Sequence, residues 1–273
     1  STASISLISG ENLTKRSAKN VTNSLFGYGL GLTALQNSGS YSSQEPTLYI
    51  RRLQTLSSST PLMLVDGIGG DITLVTSEEV ESVQILKDAA AVALYGYKGA
   101  NGVINIITKR GKYNAKEIKF TFDHLINWEV RRPEFANAYT YASAINEAYA
   151  NDGIRKPRYH EYEMNAFKTG AYPQYYPNVN WVDEVFKDAA ATNIANMSLR
   201  GGGSKFRYFP MFNWVTDNGF IANAKANDGY STQNKSSKAN LRTNLDIDLT
   251  PSTKMTLNLL GTLAETNKPG DSA

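Results

Sequence analysis

The chain has 273 residues with 28 basic and 25 acidic side chains, a formal net charge of +3, and no cysteine. Charge this balanced excludes a basic nucleic-acid stripe, and the missing thiols exclude disulfides and Cys-ligated metals. His124 and His160 each stand alone without a second ligand at metal-binding spacing. No segment reaches the ~18 consecutive apolar residues of a membrane helix, but a membrane β-barrel stays open because its strands only alternate.

Residues 1–112 read as a compact α+β unit. A strand at 4–8 is ended by Gly10, and Asn20 caps a short helix running to Leu25. Strands follow at 48–52 and 62–65, the second closed by the turn Asp66-Gly67. Thr76 and Glu79 have capping-box spacing and start a short helix at Ser77. A strand at 82–86 returns, Asp88 caps an Ala-rich helix at 89–94, and Gly96 stops it. The β-branched run 103–108 is a buried strand.

From about residue 115 the pattern changes to long alternating strands. Ile118, Phe120, Phe122, Ile126 and Trp128 share one face, and Lys119, Thr121, Asp123 and Asn127 the other. Ala195, Met197 and Leu199 oppose Asn196, Ser198 and Arg200, and Phe206, Tyr208, Phe212 and Trp214 share a face. In 238–249 the apolar set Ala239, Leu241, Leu245, Ile247, Leu249 opposes Lys238, Asn240, Arg242, Asn244, Asp246, Asp248. A fifth strand begins at Met255 after the turn 251–254. Strands of about ten residues exceed the ~5–6 usual in soluble sheets, and their charged second face suits a wet or plugged lumen. Short connections (201–205, 251–254) alternate with long ones (129–190, 217–234), and the spacing of Ala138, Tyr141, Ala142, Ile145 and Tyr149 predicts a helix over 137–151.

Three ordered motifs carry a family resemblance. They are Pro-Leu-Met-Leu-Val-Asp-Gly-Ile at 61–68, Glu-Val-Glu-Ser-Val-Gln-Ile-Leu-Lys-Asp at 79–88 with Ala-Ala-Ala-Val-Ala-Leu-Tyr-Gly at 89–96, and Gly-Ala-Asn-Gly-Val-Ile-Asn-Ile-Ile-Thr-Lys-Arg-Gly at 99–111. Together they resemble the plug of TonB-dependent receptors in its SusC/RagA version. Residues 176–186 and 201–209 are similar to the same branch, so the likeness covers most of 4–265. One departure is Arg52, where the family has glycine after Ile-Arg.

The resemblance implies an α+β plug domain at 1–112, followed at 113–273 by antiparallel strands of a transmembrane β-barrel with a long extracellular loop at about 129–190. About five of an expected ~22 strands are present. An open edge in lipid leaves backbone groups unpaired, so the remaining barrel polypeptide is expected elsewhere, as is the TonB box upstream of residue 1. The implied activity is gated import of a large nutrient, oligosaccharide or peptide, across the bacterial outer membrane. Its implied partners are a SusD-like surface lipoprotein, TonB and outer-membrane lipid, and no cofactor, metal or nucleic acid is expected. The alternative is a siderophore or vitamin receptor without a lipoprotein lid. Three plug loops, at about 37–45, 54–60 and 68–73, are expected to face outward, with Tyr41, Gln44, Gln54 and Asp71 as ligand contacts. Glu79, Glu81, Lys87 and Asp88 read either as a charged seam against the barrel wall or as a solvated face. No nucleophile–base pair points to an enzyme.

Overall fold

A computed structural model describes residues 5–28, 31–36, 45–50, 60–87, 93–225 and 231–268. The first part is built on a mixed sheet. Strand β1 (Ile5–Ser9) runs into a one-turn helix α1 (Gly10–Leu13), and α2 (Val21–Ser24) is capped by Asn20, whose Oδ1 accepts the Asn23 N–H at 3.0 Å. β2 (Leu32–Leu35) and β3 (Thr47–Ile50) form a separate antiparallel pair. β4 (Leu62–Val65), β5 (Ile68–Gly69), β6 (Val80–Leu86) and β7 (Val103–Thr108) complete the main sheet in the order β1-β6-β7-β4-β5. Within it β4 and β7 are parallel and the other pairings antiparallel.

The core lies under this sheet, where Leu13, Val21, Leu25, Leu48, Val75, Val83, Ile85 and Ile104 are closed to solvent. Each such aliphatic side chain contributes about 1.5–3 kcal/mol by leaving water. Gly10 ends β1 as expected and also opens α1 against β6. A Cβ there would lie 2.0 Å from the Val80 carbonyl oxygen, so only glycine lets the two backbones meet. Helix and sheet therefore depend on one missing side chain. The Ala-rich helix expected at 89–94 falls largely outside the described residues. Gly96, at φ +61°, leads into a 3-10 turn at Gly96–Gly99.

The second part is a five-stranded antiparallel meander of β8 (Lys116–Trp128), β9 (Ala189–Gly202), β10 (Phe206–Asn218), β11 (Lys235–Thr250) and β12 (Thr253–Asn267), in the order β12-β11-β10-β9-β8. These strands run 13 to 16 residues, longer than the sequence pattern suggested. The excess comes from their ends, where polar residues continue the ladder after the apolar alternation has stopped. Two connections are tight turns, at 203–205 and 251–252, and mark one end of the sheet. The long connections leave from the other end.

Those long connections form a compact unit of their own, 127–190 with 220–233. It holds α3 (Ala138–Asn151), α4 (Glu161–Thr169) and α5 (Trp181–Val185). Asn137 caps α3 at the position the sequence predicts, and α4 opens on a His160–Glu163 capping box. Arg132 binds Glu129, Asp183, Asp188 and the Lys187 carbonyl, and a ring ladder of Tyr159, Phe167, Tyr176 and Tyr162 packs α4 against its flanking segments.

Candidate functional site

The site is a seam along which one strand of the second sheet grips the first domain. Side chains alternate along a strand, so residues two apart share a face. On β11 that face is Lys238, Asn240, Arg242, Asn244, Asp246 and Asp248, and each of them makes a contact. Lys238 donates to the Thr73 carbonyl at 2.9 Å and Asn240 to the Leu74 carbonyl at 2.9 Å. Arg242 pairs with Glu79, and Asn244 donates to Thr108 Oγ1 at 2.8 Å and the Lys109 carbonyl at 2.9 Å. Asp246 lies 3.5 Å from Arg110, and Asp248 accepts the Tyr113 hydroxyl at 2.8 Å. The neighbouring strands extend the seam through Lys119–Glu78 (2.7 Å), Arg200–Glu81 (3.1 Å) and Lys19–Asp217.

Its centre is the Glu79–Arg242 pair, both side chains at most 6% exposed. Sequence places Glu79 there through the capping box: its Oε1 accepts the Thr76 N–H at 2.6 Å, leaving Oε2 for the guanidinium. Burial pushes the Glu79 carboxyl above its ordinary range, while the Arg242 charge and the Thr76 N–H pull it back. Burial likewise lowers the Lys109 ammonium, opposed by Glu78. At the turn end, Asp66 holds the Thr108 N–H and hydroxyl at 2.9 and 2.6 Å from a left-handed turn, φ +51°. Arg110 stands 3.7 Å from that carboxylate, so it bridges Asp66 to Asp246.

The opposite face of the same sheet is apolar and open. Ile118, Phe120, Phe122, Leu241, Leu249, Leu257, Leu259 and Leu263 are all exposed large hydrophobics. On β11 this band runs from Ala239 to Leu249 with one hydroxyl, Thr243. Ten steps at ~3.4 Å give about 34 Å of strand. Tilted about 40°, that rises about 26 Å, which matches the ~25 Å lipid-facing band of outer-membrane barrels.

Of the charged quartet, Glu79 and Glu81 face the wall, while Lys87 donates to Ser6 inside the domain and Asp88 lies outside the described residues. Tyr41, Gln44 and Gln54 also lie outside the described residues. Asp71 is exposed and caps a short 3-10 turn through Thr73, 2.9 Å to N–H and 2.6 Å to hydroxyl. Through Thr73 it stands at the level of Lys238, toward the loop end of the seam. Sequence reading missed Arg110, Arg200 and the inward Phe209, Met211 and Val215. These three are buried beside an outward face of Phe206, Phe212 and Trp214, so β10 is apolar on both faces and shows little alternation.

The described geometry, a small gripped domain followed by wall strands, recurs in known proteins. Residues 1–103 match the family model TonB-dependent Receptor Plug Domain. A TonB-dependent receptor of Formosa agariphila is 23% identical over 259 residues, covering 94% of this chain and 23% of that protein. The TonB-dependent receptor SusC of Bacteroides thetaiotaomicron is 25% identical over 232 residues, 81% of this chain and 21% of that protein. The solved RagAB peptide transporter superimposes at a TM-score of 0.77 with 20% identity, over 97% of this chain and 31% of that one. The siderophore receptor PirA from Acinetobacter baumannii reaches 0.60 with 16% identity, over 98% and 32%. The chain thus spans less than a quarter of these curated relatives and about a third of the solved chains. With a plug fold first and antiparallel wall strands after it, the chain is similar to SusC/RagA-type TonB-dependent transporters, and residues 1–103 match their plug domain.

Proposed function

We propose that the whole protein imports a large nutrient, an oligosaccharide or peptide, across the bacterial outer membrane. Residues 1–112 gate the pore and 113–273 form the first part of its wall. The observation that carries this reading is the β11 ladder, polar and gripping on one face, apolar over a bilayer's height on the other. Such a strand separates lipid from a domain held by side-chain contacts rather than by a continuous sheet, so the domain can let go without unfolding the wall. In this reading the tight turns face the periplasm and the long connections the outside. Asp71 meets ligand from the outer side, and Tyr41, Gln44 and Gln54 are its further contacts in this reading. TonB acts through a segment upstream, and a SusD-like lipoprotein covers the mouth.

The better superposition on RagAB than on siderophore receptors, 0.77 against 0.60, supports the large-nutrient reading over the siderophore one. The test is uptake of labelled oligosaccharides and peptides by cells carrying the whole gene, with and without TonB. Uptake is expected to stop when TonB is deleted or the proton gradient collapsed. Uptake that continues unchanged would refute the proposal, and a chelated-iron complex as the sole TonB-dependent cargo would shift it to the siderophore class.

A further inference from the structure

Beside the centre of the seam a cleft of about 170 Å³ opens between plug and wall. Plug segments 14–18 and 76–78 form one side of it, and the inner faces of β8, β9 and β10 the other. The register fixes which wall side chains reach it. Asn213 stands opposite Asn240 of the gripping face and opposite Asn196 on β9, so both asparagines point inward. Asn196 donates to Thr121 at 3.1 Å, which places Thr121 on the same face, and Asp123 follows two residues on. The space holds roughly five or six liquid waters, or one ring of a sugar.

Two acceptors in this lining lack donors. Asn213 is 2% exposed; its Nδ2 donates to Asn196 at 2.7 Å, and its Oδ1 has no partner. Asp123 is half-buried, and among the described residues neither an ion pair nor a hydrogen bond engages it. The other carboxylate, Glu78, is tied to Lys119 at 2.7 Å. Arg16 supplies donors. Its Nη1 binds the Phe26 carbonyl at 3.0 Å and its guanidinium lies over the Tyr28 ring, which holds the group and leaves N–H groups to spare. The exposed Ser17 adds a hydroxyl that can serve in either role.

We propose that this cleft is a subsite for one neutral sugar residue of the imported ligand, held between Asp123 and Asn213 on the wall and Arg16 on the plug. The inference rests on the import reading and narrows its cargo to an oligosaccharide. Each sugar hydroxyl carries one donor and two acceptor positions. Neighbouring hydroxyls can therefore donate to the Asp123 carboxylate and the Asn213 Oδ1 while accepting from Arg16. A peptide unit brings a single backbone N–H and cannot serve both acceptors at once. An acidic residue would set its own charge against Asp123. Occupancy also reaches the grip. Thr76 lines the cleft, and its N–H is bound by Glu79, the partner of Arg242.

The experiment uses the whole purified transporter in detergent, carrying Ser17→Cys in a background without other cysteines, and follows alkylation of the new thiol. The probes are maltotriose, xylotriose and galactotriose, with triglycine as the peptide. At about ten times its Kd, at least one trisaccharide is expected to slow alkylation by about tenfold, the factor by which it depletes the empty cleft. Triglycine is expected to leave the rate unchanged. Asp123→Leu is expected to cut the protection below about twofold, and Asp123→Asn, which keeps part of the hydrogen bonding, to retain an intermediate value. Hydrogen exchange over residues 72–86 checks that the plug stays seated; where Asp123→Leu disturbs it, Asp123→Asn carries the comparison. A cleft that holds water only gives no protection by any sugar, and that result overturns the subsite. Equal protection by triglycine, or protection unchanged in both Asp123 variants, overturns it as well. TonB-dependent uptake is measured beside it. Uptake without protection leaves the import reading standing, and protection without uptake leaves the subsite standing while import fails.

Discussion

Removing one partner of the Glu79–Arg242 pair is the sharpest perturbation of the seam. Arg242→Met keeps most of the side-chain volume but strands a buried carboxylate, and such a loss costs about 3–5 kcal/mol. At 1.4 kcal/mol per decade this raises the opening of the plug segment 72–86 by roughly two to three and a half powers of ten. Hydrogen exchange on the whole transporter reads that opening directly. Glu79→Gln in the same background preserves the acceptor for the Thr76 N–H and removes the stranded charge, so the double variant recovers at least half the loss. The pH dependence has a defined sign. Burial raises the Glu79 carboxyl, and without the guanidinium only the Thr76 hydrogen bonds pull it back. Seam stability in Arg242→Met is then full below the ordinary carboxylate range and lost as pH rises through the raised value, by up to ~1.4 kcal/mol per pH unit. The double variant shows no such slope. Exchange in Arg242→Met that changes by less than about tenfold, or that is flat between pH 5 and 8, would refute the claim that this pair closes the seam.

Four other outcomes follow from the same geometry. Lys119→Gln removes a half-exposed partner of Glu78 and is expected to change the same exchange by less than about 1 kcal/mol. Leu245→Arg, near the middle of the apolar band, is expected to destabilise the assembled barrel by about 2–4 kcal/mol, and Ile247→Arg, nearer the turn end, by less; urea midpoints in lipid rank them. Gly10→Val is expected to prevent plug folding, because its Cβ would overlap the Val80 carbonyl, and exchange protection of β1 and β6 should then vanish. A cysteine replacing Asn151 in α3 is expected to react with an impermeant reagent on intact cells; labelling only after lysis reverses the orientation.

Much of this was legible because the two parts obey different rules. Asn20, the Thr76–Glu79 box, the Asp66-Gly67 turn and the run 103–108 are local signals, and each produced its element. The alternation on β11 likewise declared which face meets the plug. Gly10 ends β1 as its sequence position suggests, but its tertiary approach to β6 is invisible one residue at a time. β10 was half hidden for a similar reason. Its buried face carries Phe209, Met211 and Val215 while its exposed face carries Phe206, Phe212 and Trp214, and that erases the period-two pattern.

The partners within the seam were the least legible part, and the reason is physical. Glu79 and Arg242 are 163 residues apart, Arg200 and Glu81 119. Each charge alone fits a solvated surface equally well, so a charged residue in sequence says nothing about what it will face. What sequence did hold was a constraint on spacing. Once Arg242 meets Glu79, the pleat carries Asn240 and Lys238 toward the loop end and Asn244, Asp246 and Asp248 toward the turn end. A plug segment lying along the strand then finds donors or acceptors at every second residue. Slipping β11 by one residue would turn all six away and present Leu241, Leu245 and Ile247 to the plug instead. Register on the wall and grip on the plug are therefore one property, and the apolar band on the opposite face enforces both.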